Sequence, residues 1–428
     1  MVSPPSMKRC SMYLDEIVAA QKRGQAKGIT SVCSAHREVI KQTLKVSKTF
    51  RVCSLIEATC NQVNQFGGYT GMTPEKFVDY VRDITAENDF PFEKVILGGD
   101  HVGPNVWQGE PADTAMDKAK VLVRDYVQAG FTKIHLDCSM RLANDPHGPL
   151  DVEVSAKRAV QLAKVAEESA GEGLRFTLRY VIGTEVPIPG GVTEHEDSIL
   201  VTRVVDAQQT LEVTRAAFLR EGLAEAWEKV IGLVVQPGVE FGDDFVHPYQ
   251  PQAARELSKF IENWPIIYEA HSTDYQTRDA LKNLVQDQFA ILKVGPALTF
   301  AFREAIFVLA RIENELLPEG QRSNIIQVLE QVMLKQPKYW KKYYRGNEAE
   351  QAFKRNYSLS DRIRYYWAQP GVERSLSRLM QNLGDEVLPY RLLSELAGVT
   401  NLSATEIIEY MINKVLENYL GACGNSKD

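Results

Sequence analysis

The sequence lacks the features of several protein classes. No apolar run is long enough to span a bilayer, and residues 1–24 lack the unbroken apolar stretch of a signal peptide. The six cysteines form no CxxC pair and no zinc-finger spacing, so we expect reduced thiols rather than a disulfide framework. These absences predict a cytoplasmic protein.

Nucleotide-binding and nucleic-acid-binding signals are also missing. No GxGxxG follows the first predicted strand, and no GxxxxGK[ST] occurs in the chain. Asp and Glu total 56 against 49 Lys and Arg, so a general nucleic-acid or anionic membrane surface is not expected. What remains is a chain of 428 residues with ordinary hydrophobic content, which is large enough for a barrel-sized domain and an appendage.

Short β-rich runs alternate with amphipathic helical stretches from residue 29 to about residue 300. Near-continuous apolar strands, each followed by a helix, are typical of parallel strands covered on both sides. Eight such units predict a (β/α)8 TIM barrel, and a doubly wound open sheet is the alternative. The predicted strands are 29–36, 51–59, 95–101, 132–140, 175–185, 230–241, 265–272 and 289–299; the helices are 74–86, 114–129, 153–170, 206–219, 251–262 and 278–287.

The alternation stops after residue 316, and the rest of the chain reads as helices. Ser403 and Glu406 form a capping-box pattern at the start of the last one. We therefore predict a barrel over 1–316 and a helical appendage, packed on the barrel, over 317–428. The aromatic and basic segment 337–346 fits packing on the barrel, a lid over a pocket or a surface for a partner subunit.

Ionisable residues mark the carboxyl ends of the predicted strands, where the chemistry of such barrels gathers. A ring of acids and imidazoles at one mouth is costly unless a cation or substrate satisfies it, so this ring predicts a functional pocket. The ring comprises His36, Glu57, Asp100, His101, Asp137, Glu185, Glu240 and His271, with Lys293 inside the eighth strand.

Two imidazoles and one carboxylate are a recognised ligand set for zinc or a similar divalent ion. His101, Glu240 and His271 follow the third, sixth and seventh strands and are the predicted metal ligands. Asp100 is the predicted proton-transfer residue, and Glu185 either assists it or lies near the metal. A satisfied Asp-His pair in a tight turn is the structural alternative for Asp100 and His101.

Long motifs in this chain resemble a known family. ILGGDHVGPN, GFTKIHLDCSM, VVQPGVEF, YEAHSTDYQT and YSLSDRIRYYW are similar to the non-catalytic, Z-type subunit of class II D-tagatose-1,6-bisphosphate aldolase. The resemblance implies a barrel related to class II aldolases and a catalytic Y-type partner subunit. It also implies a role in galactitol or N-acetylgalactosamine breakdown. Such proteins have been labelled tagatose-6-phosphate kinases, which the missing nucleotide motifs argue against.

The resemblance extends to the catalytic subunit residue by residue. Asp100 resembles its proton-transfer Asp, His101 and His271 resemble zinc ligands, and Glu185 resembles a Glu near the metal. The sixth strand departs from the pattern, because Glu240 stands where a zinc-binding His is expected. The loop after His271 departs as well: it carries Asp274 where the catalytic enzyme places a phosphate-binding loop, and an acid there would repel phosphate.

Two functions follow from these observations. The favoured one is an accessory subunit that binds and stabilises a catalytic aldolase subunit, so we expect an oligomer. The alternative is a metal-dependent ketose 4-epimerase, or an aldolase active by itself, on a sugar or sugar-phosphate ligand. Carbon-4 inversion by retro-aldol cleavage and readdition needs no redox cofactor, which agrees with the missing dinucleotide motif.

Overall fold

A computed structural model describes residues 7–183 and 199–426, with side chains from residue 12 onward in the first of these ranges. The strands in it are β1 Ile29–Val32, β2 Ser54–Thr59, β3 Val95–Val102, β4 Lys133–Asp137, β5 Arg179–Gly183, β6 Val230–Val235, β7 Glu240–Phe241, β8 Val246–His247, β9 Ile267–Ala270 and β10 Phe289–Val294.

The described part of the chain contains sixteen α-helices. They are α1 Met7–Lys22, α2 Arg37–Thr49, α3 Pro74–Glu87, α4 Ala112–Ala129, α5 Val152–Ser169, α6 Glu172–Arg175, α7 Val204–Arg220, α8 Ala224–Trp227, α9 Pro251–Ile261, α10 Arg278–Gln286, α11 Pro296–Leu316, α12 Ile325–Lys335, α13 Glu348–Tyr357, α14 Pro370–Leu383, α15 Tyr390–Ala397 and α16 Ala404–Ala422. None of these described helices has the length and apolar character needed to cross a membrane.

Eight parallel strands close into a barrel in the order β1, β10, β9, β6, β5, β4, β3, β2. The strands are buried on both faces, as their continuous apolar sequence predicts, and helices cover the outside. The predicted (β/α)8 architecture is confirmed. Its closure brings the carboxyl ends of all eight strands to one mouth.

The predicted sixth strand is wrong in its extent. β6 ends at Val235, and Pro237 and Gly238 then turn the chain before β7 pairs antiparallel with β8. Pro237 has no N–H for a strand ladder, and Gly238 adopts a φ of +87°, which favours glycine. Glu240 therefore lies on a small separate sheet rather than at the end of a barrel strand.

The first and the last described helices pack against the barrel. Leu14 and Ile17 of α1 enter an apolar cluster with residues of the barrel strands, which includes Ile29, Leu55 and Ile96. At the other end, α16 contacts α2, α10, α11 and β1, and the backbone N–H of Gly28 donates to Cys423 O at 3.0 Å. Barrel and C-terminal residues share one apolar core among the described residues. A division of the chain at residue 316 stays a prediction.

Candidate active site at the barrel mouth

Four side chains converge inside the mouth of the barrel. Asp100, His101, His135 and His271 each offer one ligand atom, and these atoms lie within 4.8 Å of one another. Each of the four residues is at most 4% exposed. His101 has a φ of +48°, a left-handed conformation that is costly for a residue with a side chain and is concentrated at functional sites. β3, β4 and β9 thus deliver a compact imidazole and carboxylate cluster.

Two carboxylates contact the imidazoles of His101 and His271 and fix the orientation of these rings. His101 Nδ1 lies 2.7 Å from Asp137 Oδ2, and His271 Nε2 lies 2.9 Å from Glu269 Oε1. Asp137 is itself held by the Ser139 backbone N–H at 3.1 Å and the Ser139 hydroxyl at 2.6 Å. Histidines that bind metal commonly donate their second ring nitrogen to a carboxylate in this way. The second nitrogen of each ring, His101 Nε2 or His271 Nδ1, is then the one that can act as a ligand.

His135 is the member of the cluster that sequence reasoning missed. Its Nδ1 accepts a hydrogen bond from the His101 backbone N–H at 3.3 Å and lies 3.5 Å from Asp100 Oδ1. Its Nε2 is buried and has no hydrogen-bond partner among the described residues. The signal was present in the sequence, because Lys133, His135 and Asp137 alternate along β4 and therefore share one face.

The structure brings together three of the five predicted site residues. Asp100, His101 and His271 lie in the cluster. Glu240 is not in it: its Oε1 accepts from the Phe241 backbone N–H at 3.0 Å, and burial raises its pKa to about 7. Glu185 lies outside the described residues. The assignments of Glu240 as a ligand and Glu185 as a proton carrier stay predictions.

Buried ion pairs support the cluster from inside the barrel. Lys133 Nζ lies 2.5 Å from Glu57 Oε1 and 2.6 Å from Glu269 Oε2, and all three side chains are inaccessible to solvent. Lys293 Nζ lies 3.0 Å from Glu57 Oε2 and 3.4 Å from Glu269 Oε1, and it also contacts Asp100 Oδ1. Charges buried this deeply are tolerated only when they are paired, so the five groups form one electrostatic unit.

The environment sets the protonation states of the cluster. Burial alone would raise the pKa of Asp100, but His101 and Lys293 beside it hold that pKa well below its usual value. Burial, assisted by Lys293, lowers the pKa of His271 to about 3. Burial would also lower the pKa of His101, yet Asp100 and Asp137 raise it overall. An anionic Asp100 and a neutral His271 are in the forms that bind a divalent cation.

A cavity of about 80 Å³ opens above the cluster. Tyr69 from the loop after β2 lines it, as do Arg364 and Tyr365 from the segment between α13 and α14. The rings of Tyr69 and Tyr365 are 4.6 Å apart, and Tyr365 stacks on Tyr339 at 4.8 Å. The C-terminal region therefore supplies part of the wall of this cavity. His36 lies elsewhere, with its ring against Phe302 at 4.2 Å.

Comparison with known protein families shows to which family this chain belongs. Residues 14–424 match the family described as D-tagatose-1,6-bisphosphate aldolase subunit GatZ/KbaZ-like. The chain belongs to the GatZ/KbaZ-like family. The family predicted from the sequence motifs is confirmed.

Relatives of this GatZ/KbaZ-like chain match it over nearly their whole length. It is 52% identical over 419 residues to the D-tagatose-1,6-bisphosphate aldolase subunit GatZ of Salmonella heidelberg (strain SL476), covering 96% of this chain and 99% of that protein. The GatZ subunit of Salmonella typhimurium (strain LT2) matches with the same identity and coverage. The crystal structure of a protein described as a probable tagatose 6 phosphate kinase from Sinorhizobium meliloti 1021 superimposes with a TM-score of 0.85. It is 43% identical and covers 93% of this chain and 100% of that one.

Proposed function

We propose that this chain is the accessory subunit of a class II D-tagatose-1,6-bisphosphate aldolase and that it activates and stabilises a catalytic subunit in the cytoplasm. The observation that carries the proposal is the 52% identity to proteins named as GatZ subunits over 96% of this chain. The pathway would be galactitol or N-acetylgalactosamine breakdown, and the assembly would be an oligomer of the two kinds of subunit.

The proposal is tested by mixing the purified chain with a catalytic tagatose-bisphosphate aldolase subunit. We expect the mixture to cleave D-tagatose 1,6-bisphosphate faster than the catalytic subunit alone and to retain activity longer at elevated temperature. We also expect the two proteins to elute together in size-exclusion chromatography. The isolated chain should show no cleavage. Cleavage by the isolated chain at the rate of the mixture would contradict an accessory role.

The geometry of the mouth favours a second candidate, a metal-dependent ketose 4-epimerase or an aldolase active by itself. His101, His135 and His271 have the donor set of a divalent metal site, and the carboxylates that contact His101 and His271 fit that use. A bound ion would supply Lewis-acid polarisation of a sugar carbonyl and hydroxyl.

Asp100 would carry the proton in such a reaction. Its Oδ2 accepts from the Thr59 hydroxyl at 2.9 Å and its Oδ1 contacts Lys293, so the carboxylate is fixed in one orientation. The cavity above it would hold a sugar or sugar-phosphate ligand against the imidazoles. Incubation of the isolated, metal-loaded chain with D-fructose and D-tagatose and with their phosphates tests this candidate. Interconversion at carbon 4 that is lost in Asp100→Asn would support it.

A further inference from the structure

The N-terminus of α11 is occupied by a side chain of the protein itself. Asp274, in the loop after β9, accepts hydrogen bonds through one oxygen from the backbone N–H groups of Gly295 at 3.0 Å and Ala297 at 2.8 Å. Between them stands Pro296, which has no N–H. The carboxylate thus takes both of the N–H groups that Gly295 and Ala297 present at the start of this helix.

The N-terminus of α11 lies at a position that binds phosphate in many (β/α)8 barrels. Many (β/α)8 barrels bind a ligand phosphate with the loops after the seventh and eighth strands, at a helix N-terminus. β9 and β10 are the seventh and eighth strands of this barrel, and α11 follows β10 directly. Asp274, Gly295 and Pro296 line the same cavity as Asp100, His101 and His271. The carboxylate of Asp274 therefore lies where such a phosphate would lie.

The loop that carries Asp274 is fixed on both sides. Ser272 and Tyr275 adopt φ angles of +53° and +64°, and such left-handed conformations persist only where the surroundings enforce them. The Thr273 hydroxyl donates to Lys293 O at 2.6 Å, and the Tyr419 hydroxyl of α16 donates to Thr273 O at 2.6 Å. Asp274 is 3% exposed. The loop therefore holds the carboxylate in place rather than letting it turn away for a ligand.

We infer that Asp274 is a specificity-determining residue, an internal anion in the place of a ligand phosphate. The cavity then accepts a sugar whose end near β9 and β10 carries hydroxyl groups, such as an unphosphorylated ketose or a ketose monophosphate held by its other end. A bisphosphate is excluded, because the two N–H groups are already used and the carboxylate repels the phosphate dianion. The inference deepens the proposed function, since it gives a physical reason why this chain leaves bisphosphate cleavage to a partner.

The experiment measures binding of inorganic phosphate to the isolated full-length chain by calorimetric titration. Asp274→Ala frees the two N–H groups, and Arg364 lies in the same cavity wall. We expect this variant to bind phosphate at least about tenfold more tightly than the wild type, the size of one charge-assisted hydrogen bond. Asp274→Asn is the matched variant: its amide oxygen still accepts from the two N–H groups, so we expect no gain.

Failure of this inference can be distinguished from failure of the proposed accessory role. A folded Asp274→Ala protein that gains no phosphate affinity would overturn the inference, and so would a wild type that binds phosphate as tightly as that variant. Thermal unfolding and far-UV circular dichroism report whether the variants fold, and Asp274→Ser replaces Asp274→Ala if the latter does not. The titration needs no catalytic subunit, so failure here leaves the accessory role standing. Failure of the activation assay likewise leaves this result unaffected.

Discussion

His101 Nδ1 and Asp137 Oδ2 are 2.7 Å apart and join the mouth ends of β3 and β4. The carboxylate fixes the imidazole so that its other nitrogen faces Asp100, 3.7 Å from Oδ1. We expect Asp137→Asn to lower affinity for a divalent metal ion by about 10-fold to 100-fold, because the charged acceptor behind the ligand is lost. Titration with Zn²⁺ and Mn²⁺ measures this. Asp117→Asn, on the exposed face of α4, is the control and should change nothing.

Metal content tests the imidazole cluster directly. We expect the untagged wild-type chain to carry near-stoichiometric Zn, Mn, Co or Ni by plasma mass spectrometry after incubation with these ions. His101→Ala should lose it, since one of the converging ligands is removed. A metal-free wild type, or a His101→Ala protein with the same metal content, would rule out this ligand set.

The buried ion pairs inside the barrel predict a large stability effect. Lys133→Met would leave Glu57 and Glu269 with Lys293 as their remaining cation among the described residues. We expect a loss of about 3–5 kcal/mol in the free energy of unfolding, measured in urea, because two buried carboxylates lose a partner. The exposed pair of Lys120 and Asp117 provides the control, and Lys120→Met should cost less than about 1 kcal/mol. Equal effects of the two substitutions would contradict the prediction.

The position of Gly103, in the turn after β3, leaves no room for a side chain. A Cβ added there would lie 1.8 Å from the backbone oxygen of Asp137, which cannot move without distorting β4. We expect Gly103→Ala to destabilise the fold by about 1–3 kcal/mol or more, as overpacking does. Gly171→Ala is the matched control, because nothing lies within 4 Å of its added Cβ. Thermal unfolding of the two variants compares them, and a Gly103→Ala protein as stable as the control would refute the close approach.

The environment of His36 predicts that acid lowers the free energy of unfolding. Desolvation lowers the pKa of this half-buried imidazole from 6.5 to about 4, so the unfolded chain binds a proton in this range and the folded chain does not. The stability that the neutral imidazole contributes above pH 6.5 is therefore lost as the pH falls from 6.5 towards 4. We expect His36→Phe to flatten the decrease in the free energy of unfolding across this range. Identical pH profiles for the variant and the wild type would show that His36 titrates normally.

The barrel was predictable from the sequence because parallel strands buried on both faces must be apolar throughout. The end of the sixth strand was misjudged, although Pro237 and Gly238 marked it. Asp100, His101 and His271 were found because they stand at strand ends. His135 lies within a strand and was overlooked, since only the shared face of β4 relates it to Asp137. The pairing of Lys133 with Glu57 and Glu269 arises from closure of the barrel, which joins residues distant in sequence.

The measurement that tests the account most directly is D-tagatose 1,6-bisphosphate cleavage by a catalytic subunit, with the wild-type chain or its His101→Ala variant added. An accessory role predicts that both proteins raise the rate to the same level and that neither cleaves the sugar alone. Circular dichroism of the variant serves as the control for folding. A folded His101→Ala protein that fails to activate the catalytic subunit would contradict the account, because the mouth of this barrel would then take part in the reaction.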